Sequence, residues 1–249
     1  MSYHTYCLLL YSWMSIAVLI FLVLLRINAP YGRHSSVNWG PQVPNHVGWT
    51  IMEFPSFAVM LYFLVSGSYT NVVLVAAILF CLHYFNRSFI FPFRLHTRGK
   101  KMPLLIVCSA ICFNCINATA LTYYMRHFAV YPANYFMDPR FITGILLFVA
   151  GAAINLAADN YLIHLRKPGD TGYTIPQSPL FKYISCPNLF GELVEWAGFA
   201  ILCWNLPALS FLVWTAANLV PRALAHHRWY KKQFPAYPPE RKAIIPFLF

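Results

Sequence analysis

Seven stretches of about 20 mostly apolar residues run through this chain, and no other feature constrains its fold as much. They cover residues 7–25, 49–65, 72–93, 103–125, 141–163, 189–205 and 207–225. A helix rises about 1.5 Å per residue, so each stretch approaches the length needed to cross a hydrocarbon core about 30 Å thick. Lipid offers no partner to an open backbone group, and a helix satisfies its own. Composition agrees: 59% of the 249 residues are hydrophobic and only 10% are charged, with a mean hydropathy of +0.54. A soluble domain carries about a quarter charged residues, which excludes a water-soluble globule here. The first stretch has no basic segment before it and no small-residue cleavage site after it, so it reads as a retained span. The expected fold is an all-α integral membrane protein, a seven-transmembrane helix bundle forming one domain over residues 1–249. The last two stretches almost touch in sequence and predict an antiparallel hairpin.

The basic residues orient the bundle. Segments following the odd-numbered stretches hold 15 Lys and Arg, taking Arg222 with the C-terminal tail; those following the even-numbered ones hold 2, and Arg87 lies inside the third stretch. The positive-inside rule then puts the N-terminus outside and the longer basic loops and the C-terminus in the cytoplasm. The formal net charge of +11 is explained by these short loops, so no nucleic-acid partner is expected, nor an obligate protein partner. Seven cysteines are scattered along the chain. Cys108, Cys112 and Cys115 share one apolar stretch, but no second pair follows at zinc spacing, so they read as small packing residues and no metal site is expected.

Only seven residues are acidic, and four of them, Glu53, Asp159, Glu192 and Glu195, fall inside apolar stretches. Each costs about 2.5–3.5 kcal/mol at a helix centre on insertion scales, so such residues face a bundle interior or a wet cavity. Asn155 and Asp159 are four apart and share a helix face, as do Asn188, Glu192 and Glu195. Arg87 and Arg222 are candidate counter-charges. Structural ion pairs between helices are the plain alternative. The cytoplasmic segments add Arg94, Arg98, Lys100 and Lys101 in one loop, Arg166, Lys167 and Tyr173 in another, and Arg222, His226, His227, Arg228 and Tyr230 in the tail. Several Arg and Lys with His and Tyr donors suit phosphate groups; anionic lipid headgroups are the alternative partner. No glycine-rich Rossmann fingerprint or P-loop is present. Towards the other side, Glu53 precedes Pro55, which should disturb its helix and free a carbonyl. Tyr84 follows in His83-Tyr84-Phe85-Asn86-Arg87. A carboxyl in an apolar pocket can stay protonated. Beside a tyrosine hydroxyl it can then donate to a carbonyl oxygen that gains charge during reaction. The sequence alone does not bring Glu53 and Tyr84 together, and a lone Tyr is as readily an interfacial anchor.

At these residues the chain resembles the steroid 5α-reductase family, the membrane 3-oxo-5α-steroid 4-dehydrogenases. The resemblance covers nearly the whole length. It rests on Glu53-Phe54-Pro55-Ser56-Phe57, on His83 through Phe89, on Asn155 through Asp159, and on Tyr173-Thr174-Ile175-Pro176-Gln177. It continues in Asn188 through Trp196 and in Arg222, His226, Tyr230 and Arg241 through Phe249. It implies an NADPH-dependent reduction of the Δ4 double bond of 3-oxo-Δ4 steroids, with hydride delivered to C5 and a proton to C4. It implies Glu53 and Tyr84 as the pair polarising the C3 carbonyl. For NADPH it implies Asn155, Asp159, Arg166, Tyr173, Asn188, Glu192, Arg222, His226 and Tyr230, with Thr97, Arg98 and Lys100 on a loop that is longer here. Trp49, Met52 and Trp196 are implied as walls of the substrate pocket. Three departures stand out: Met52 replaces a Gln, Cys108 falls near an Arg, and Thr174 replaces an Arg near the cofactor phosphates.

Other readings remain at this stage. A polyprenol-type or enoyl-thioester lipid could be the substrate of the same chemistry. A membrane methyltransferase using S-adenosylmethionine would leave Glu53 and Tyr84 without a role. A transporter or lipid scaffold would also place charges in the membrane, but no inverted repeat supports it. The endoplasmic reticulum and a bacterial inner membrane are both compatible locations.

Overall fold

The computed structural model describes residues 1–30, 32–34, 37–95, 99–165 and 172–248. Its order is α1 (Tyr3–Arg26), β1 (Gln42–Pro44), α2 (Asn45–Val65), α3 (Asn71–Phe85), α4 (Phe91–Arg94), β2 (Lys101–Pro103), α5 (Leu104–His127), α6 (Pro139–His164), α7 (Pro187–Cys203) and α8 (Leu206–Gln233). A π-helical turn, Asn86–Ile90, joins α3 to α4. The protein is nearly all helical, and six helical stretches among the described residues are long and apolar enough to cross a membrane. They are α1, α2, α3 continued to Arg94, α5, α6 and α8. The sixth expected stretch, residues 189–205, forms α7, which has only 17 residues. At about 1.5 Å per residue that is shorter than a hydrocarbon core, and it carries Glu192 and Glu195.

The chain divides into two compact units, Ala29–Ile142 and Met1–Asn28 with Thr143–Phe249. In the first, α2 packs against α3 and α5. The ribbon of β1 and β2, unforeseen because three-residue strands leave no periodic signal, sets the register of α2 against α5. Gln42 pairs with Pro103, and Pro44 with Lys101. Asn45 N–H donates to the Lys100 carbonyl at 3.0 Å, and Leu104 N–H to that of Pro41 at 2.8 Å. Both helices therefore start side by side, each immediately after a proline in extended or near-extended conformation. Eleven residues into α2 and ten into α5, Ser56 and Asn114 meet.

In the second unit, α6 and α7 run antiparallel with their backbones in contact. A Cβ on Gly151 would lie 2.2 Å from the Glu195 nitrogen, and one on Gly191 2.5 Å from the Asn155 nitrogen. One heptad away, Gly144 and Gly198 repeat the arrangement against Leu202 and Phe148. Small residues at such spacing let helices approach in lipid, where apolar burial alone does not drive association. The expected hairpin is formed by α7 and α8. Trp204 takes a left-handed conformation at φ 45°, and the Asn205 side chain accepts the Ala208 N–H at 3.0 Å to cap α8. Helix α1 packs along α8, with Trp13 and Trp214 rings 4.4 Å apart. Most of its remaining surface is exposed Leu, Val and Ile, as a lipid-facing helix requires.

One boundary needs correcting. Helix α8 was expected to end at residue 225, with a basic tail beyond it; the helix continues to Gln233. Residues 222–233 contain neither Gly nor Pro, so nothing stops the helix before Phe234. That residue precedes Pro235 and is extended, at φ −125° and ψ 108°, because proline disfavours helical geometry in the residue before it.

Candidate functional site

Within Ala29–Ile142, Asn114 is the hub of a buried polar network. Its amide nitrogen donates to the Met52 carbonyl at 2.5 Å and lies 3.4 Å from Glu53 Oε2. Its amide oxygen accepts from the Ser56 hydroxyl at 2.9 Å and sits 3.4 Å from the Tyr84 hydroxyl. Glu53 and Tyr84, remote in sequence, thus flank one side chain on α5. The disturbance expected of Pro55 is local, since α2 continues through it. Pro55 has no N–H to give, and a cross-helix donor reaches the neighbouring Met52 carbonyl. Tyr84 is only 4% exposed, its ring 4.7 Å from Phe80. Asn114 and Ser56 were missed from sequence. The available signal was an Asn between Phe113 and Cys115 in a span, where a polar side chain needs a reason.

The expected substrate-pocket residues fall in two places. Met52 is buried with Met102 and Val107, and Trp49 packs against that cluster. Arg87 is buried as well, its guanidinium 5.3 Å above Trp49 and 4.7 Å above Phe91. A weakly hydrated guanidinium between aromatic faces gains cation–π attraction. Trp196 belongs to the other unit. It is 2% exposed, with rings of Phe211, Phe199 and Phe148 at 4.5, 5.6 and 6.2 Å.

Within the unit containing α6, α7 and α8, the predicted cofactor residues form a second network. Asn155 donates to the Asn188 carbonyl at 3.0 Å and lies 3.5 Å from Glu192 Oε2. Asn188 in turn donates to Asp159 Oδ1 at 2.9 Å. The glycine contact between α6 and α7 permits this, because Asn155 lies four residues after Gly151 and Asn188 three before Gly191. Arg222, His226 and Tyr230 follow one another at four-residue spacing and share a face of α8. The Tyr173 ring lies 4.9 Å from Trp229, which brings its loop to the end of that helix. Of the remaining predicted residues, Lys100 sits at the ribbon in the other unit, while Thr97, Arg98 and Arg166 lie outside the described residues.

The C-terminal segment adds a latch. Lys242 pairs with Ile184 in a parallel bridge. The Ser185 hydroxyl lies 2.6 Å from His227 Nδ1 and 2.7 Å from the Tyr237 hydroxyl, and donates to the Lys242 carbonyl at 3.0 Å. Burial pushes the Tyr237 phenol above its usual value. Arg241 is 4% exposed, its guanidinium 5.4 Å from the Tyr237 ring. Its Nε and Nη1 are buried without a hydrogen-bond partner. A buried cation with two donors unused fits an anionic ligand.

Comparison with known proteins gives these networks a context. Residues 100–249 match the family described as 3-oxo-5-alpha-steroid 4-dehydrogenase. The chain is 43% identical over 228 residues to 3-oxo-5-alpha-steroid 4-dehydrogenase 1 of Macaca fascicularis, covering 89% of this chain and 86% of that one. It is 42% identical over 230 residues to the Homo sapiens protein of the same name, covering 90% and 88%. It is also 37% identical over 253 aligned positions to the steroid 5-alpha-reductase DET2 of Gossypium hirsutum, covering 98% and 96%.

Proposed function

The chain belongs to the 3-oxo-5-alpha-steroid 4-dehydrogenase family, and on that premise we propose that it reduces the Δ4 double bond of a 3-oxo-Δ4 steroid to the 5α-dihydro product with NADPH. It is an oxidoreductase acting on CH–CH groups, and its relatives are steroid 5α-reductases by name. The observation that carries the finer reading is the convergence of Glu53 and Tyr84 on Asn114. An isolated acid or phenol in a span has many explanations. Two of them on one amide, beside buried Met and aromatic side chains, form a donor pair suited to a ketone oxygen.

In this account Tyr84 and protonated Glu53 each give a hydrogen bond to the C3 carbonyl. Conjugation transmits that polarisation to C5. Bound NADPH supplies the hydride that C5 accepts. As C5 receives it, charge builds on the carbonyl oxygen, and donors already in place stabilise the enolate-like transition state more than the ground state. Asn114 positions both side chains, and Tyr84 needs only to turn its proton from the Asn114 oxygen to the ketone. The Met52–Met102–Val107 cluster with Trp49 offers an apolar wall to a steroid skeleton. A proton then reaches C4 and restores the ketone.

Asn155, Asp159, Asn188 and Glu192, with Arg222, His226, Tyr230 and Tyr173, are assigned to holding the cofactor, and Trp196 to the substrate wall. Thr97, Arg98, Lys100 and Arg166 are assigned to the cofactor as well. Orphaned Arg241 donors support an anionic ligand in the same unit. We further assign seven spans, α7 completing the count, with the N-terminus outside and the C-terminus cytoplasmic, as the basic residues indicate. Purified protein in detergent, given progesterone and NADPH, should form the 5α-dihydro steroid. Glu53→Gln and Tyr84→Phe should each lower kcat by at least about tenfold, the scale of losing one transition-state hydrogen bond. Undiminished turnover in both would sink the assigned roles.

A further inference from the structure

At one end of the Ala29–Ile142 unit, the turn after α2, the start of α3 and the end of α5 enclose a cavity of about 330 Å³. Ser66, Ser68, Tyr69, Thr70 and Arg126 line it. The polar side chains contributed to the lining are neutral hydroxyls apart from one guanidinium. Arg126 Nη2 donates to the Ser66 hydroxyl and, at 2.9 Å, to the Tyr69 hydroxyl. Both hydroxyls spend their own protons on the Phe63 carbonyl, at 3.1 and 2.7 Å. The guanidinium is further held against the Phe63 ring at 5.7 Å. One nitrogen of Arg126 is therefore anchored to the α2–α3 turn. Among the described residues, Nε and Nη1 have no acceptor and no carboxylate comes within salt-bridge distance.

The other cation of this end behaves differently. Arg140 is matched by Asp138 at 2.6 Å. Arg126 is thus an exposed cation positioned by the α2–α3 turn on the lining of the cavity, with no carboxylate beside it among the described residues. The start of α3 adds to this. Thr70 and Val73 line the cavity, the Thr70 side chain makes no capping bond, and the first N–H groups of a helix have no acceptor within it. Helix dipole and guanidinium both favour negative charge there. The depth fits as well. Tyr123, Tyr124, Phe128, Tyr131 and Tyr135 cluster at the end of α5 and just beyond, and aromatic residues concentrate at headgroup level.

We propose that this cavity binds a phosphate group, with Arg126 as its paired cation and the Ser68 and Thr70 hydroxyls as its cradle. The site is separate from the Glu53–Asn114–Tyr84 network and from the cofactor residues of the other unit. An oxyanion there would take a charge-assisted hydrogen bond from Nη1 or Nε, the nitrogens not spent on Ser66 and Tyr69. The shared chemistry is a phosphate oxyanion, whether carried by a membrane lipid or free in solution.

The test uses the full-length protein in neutral detergent. Thermal unfolding is followed during titration with dioctanoyl phosphatidylglycerol, dioctanoylglycerol and inorganic phosphate. Phosphatidylglycerol should raise Tm saturably, and dioctanoylglycerol should not. A response to inorganic phosphate as well identifies a free-anion site; a response to the lipid alone identifies a headgroup site. Arg126→Gln should weaken the response at least about tenfold, the scale of one lost charged hydrogen-bond pair. Arg140→Gln should leave it within about twofold, since Arg140 is already paired. If Arg126→Gln does not fold, Ser68→Asp makes the same test by placing a carboxylate in the cavity. Equal binding by wild type and either variant, or no saturable response from wild type, overturns the proposal.

Discussion

Replacing Asn114 with Ala tests the hub of the ketone-side network, and its effect can be worked out from the contacts. Two of them are at full hydrogen-bond strength by distance: Ser56 to Oδ1 at 2.9 Å and Nδ2 to the Met52 carbonyl at 2.5 Å. The two at 3.4 Å count for positioning more than for stability. A buried polar group that loses its partner costs about 1–3 kcal/mol. Ser56 is fully buried, but it lies four residues after Met52, so its hydroxyl can turn back to the Met52 carbonyl within the helix. That rescue brings the loss to about 2 kcal/mol, the low end for two stranded groups. Turnover should suffer more than folding. Without Asn114, Glu53 and Tyr84 keep no common anchor, and misplacement by about 1 Å can cost about 10²-fold in rate. The assay is steady-state formation of the 5α-dihydro steroid by purified protein, alongside thermal unfolding. The expected result is a Tm lowered by a few degrees and kcat lowered about 10²-fold. Asn114→Asp should be worse than Ala in turnover, because it accepts from Ser56 and Tyr84 yet places a second carboxyl beside Glu53. A kcat within twofold of wild type for both variants would refute the reasoning.

Other perturbations follow from the same geometry. Gly151→Leu puts a side chain where a Cβ already meets the Glu195 backbone at 2.2 Å; it should separate α6 from α7 and weaken NADPH binding more than tenfold, measured by fluorescence titration, whereas an unchanged Kd would contradict the glycine contact. Ser185→Ala removes the group shared by His227, Tyr237 and Lys242; it should cost about 1–2 kcal/mol and increase proteolysis of the C-terminal segment, and wild-type protease resistance would count against the latch. The Asp138 carboxyl is held down to about 2, first by its hydrogen bond from the Arg140 side chain and then by one from the Arg140 backbone. Its contribution to stability is therefore present above the usual carboxylate value and lost as pH falls toward about 2. Asp138→Asn should flatten that part of the acid-unfolding profile, and superimposable profiles would rule the contribution out.

Much of this architecture is legible in sequence because lipid is an unforgiving solvent. Each apolar run is a direct record of a helix such as α1 or α5, and intramembrane Glu53 and Asp159 announce themselves by their cost. Asn155 with Asp159, and Asn188 with Glu192 and Glu195, could be grouped by helix face because such spacing is a local property; hydrogen bonds join the first four of these. What could not be read is everything nonlocal. The three-residue strands β1 and β2 have no pattern of their own, yet they fix the register that brings Asn114 to Ser56 and Glu53. The glycine pairs at 144, 151, 191 and 198 are visible as letters, but their function appears only when the two helices meet. The length of α8 was underestimated for another reason. Its last two turns are basic and polar, so hydrophobicity stopped at residue 225 while helix propensity continued to Gln233. The charge-depleted end of the Ala29–Ile142 unit drew no attention from charge counting, though it holds the unpaired guanidinium of Arg126.

The most direct test of the central claim follows the hydrogen. Purified protein is incubated with a 3-oxo-Δ4 steroid and NADPH carrying deuterium at nicotinamide C4, and the product is analysed by NMR and mass spectrometry. The account predicts one deuterium at C5 on the α face and a solvent-derived hydrogen at C4, with the label's rate of appearance collapsing in Glu53→Gln and Tyr84→Phe. Absence of the dihydro steroid, deuterium at C4 instead of C5, or wild-type rates in the two variants would contradict it.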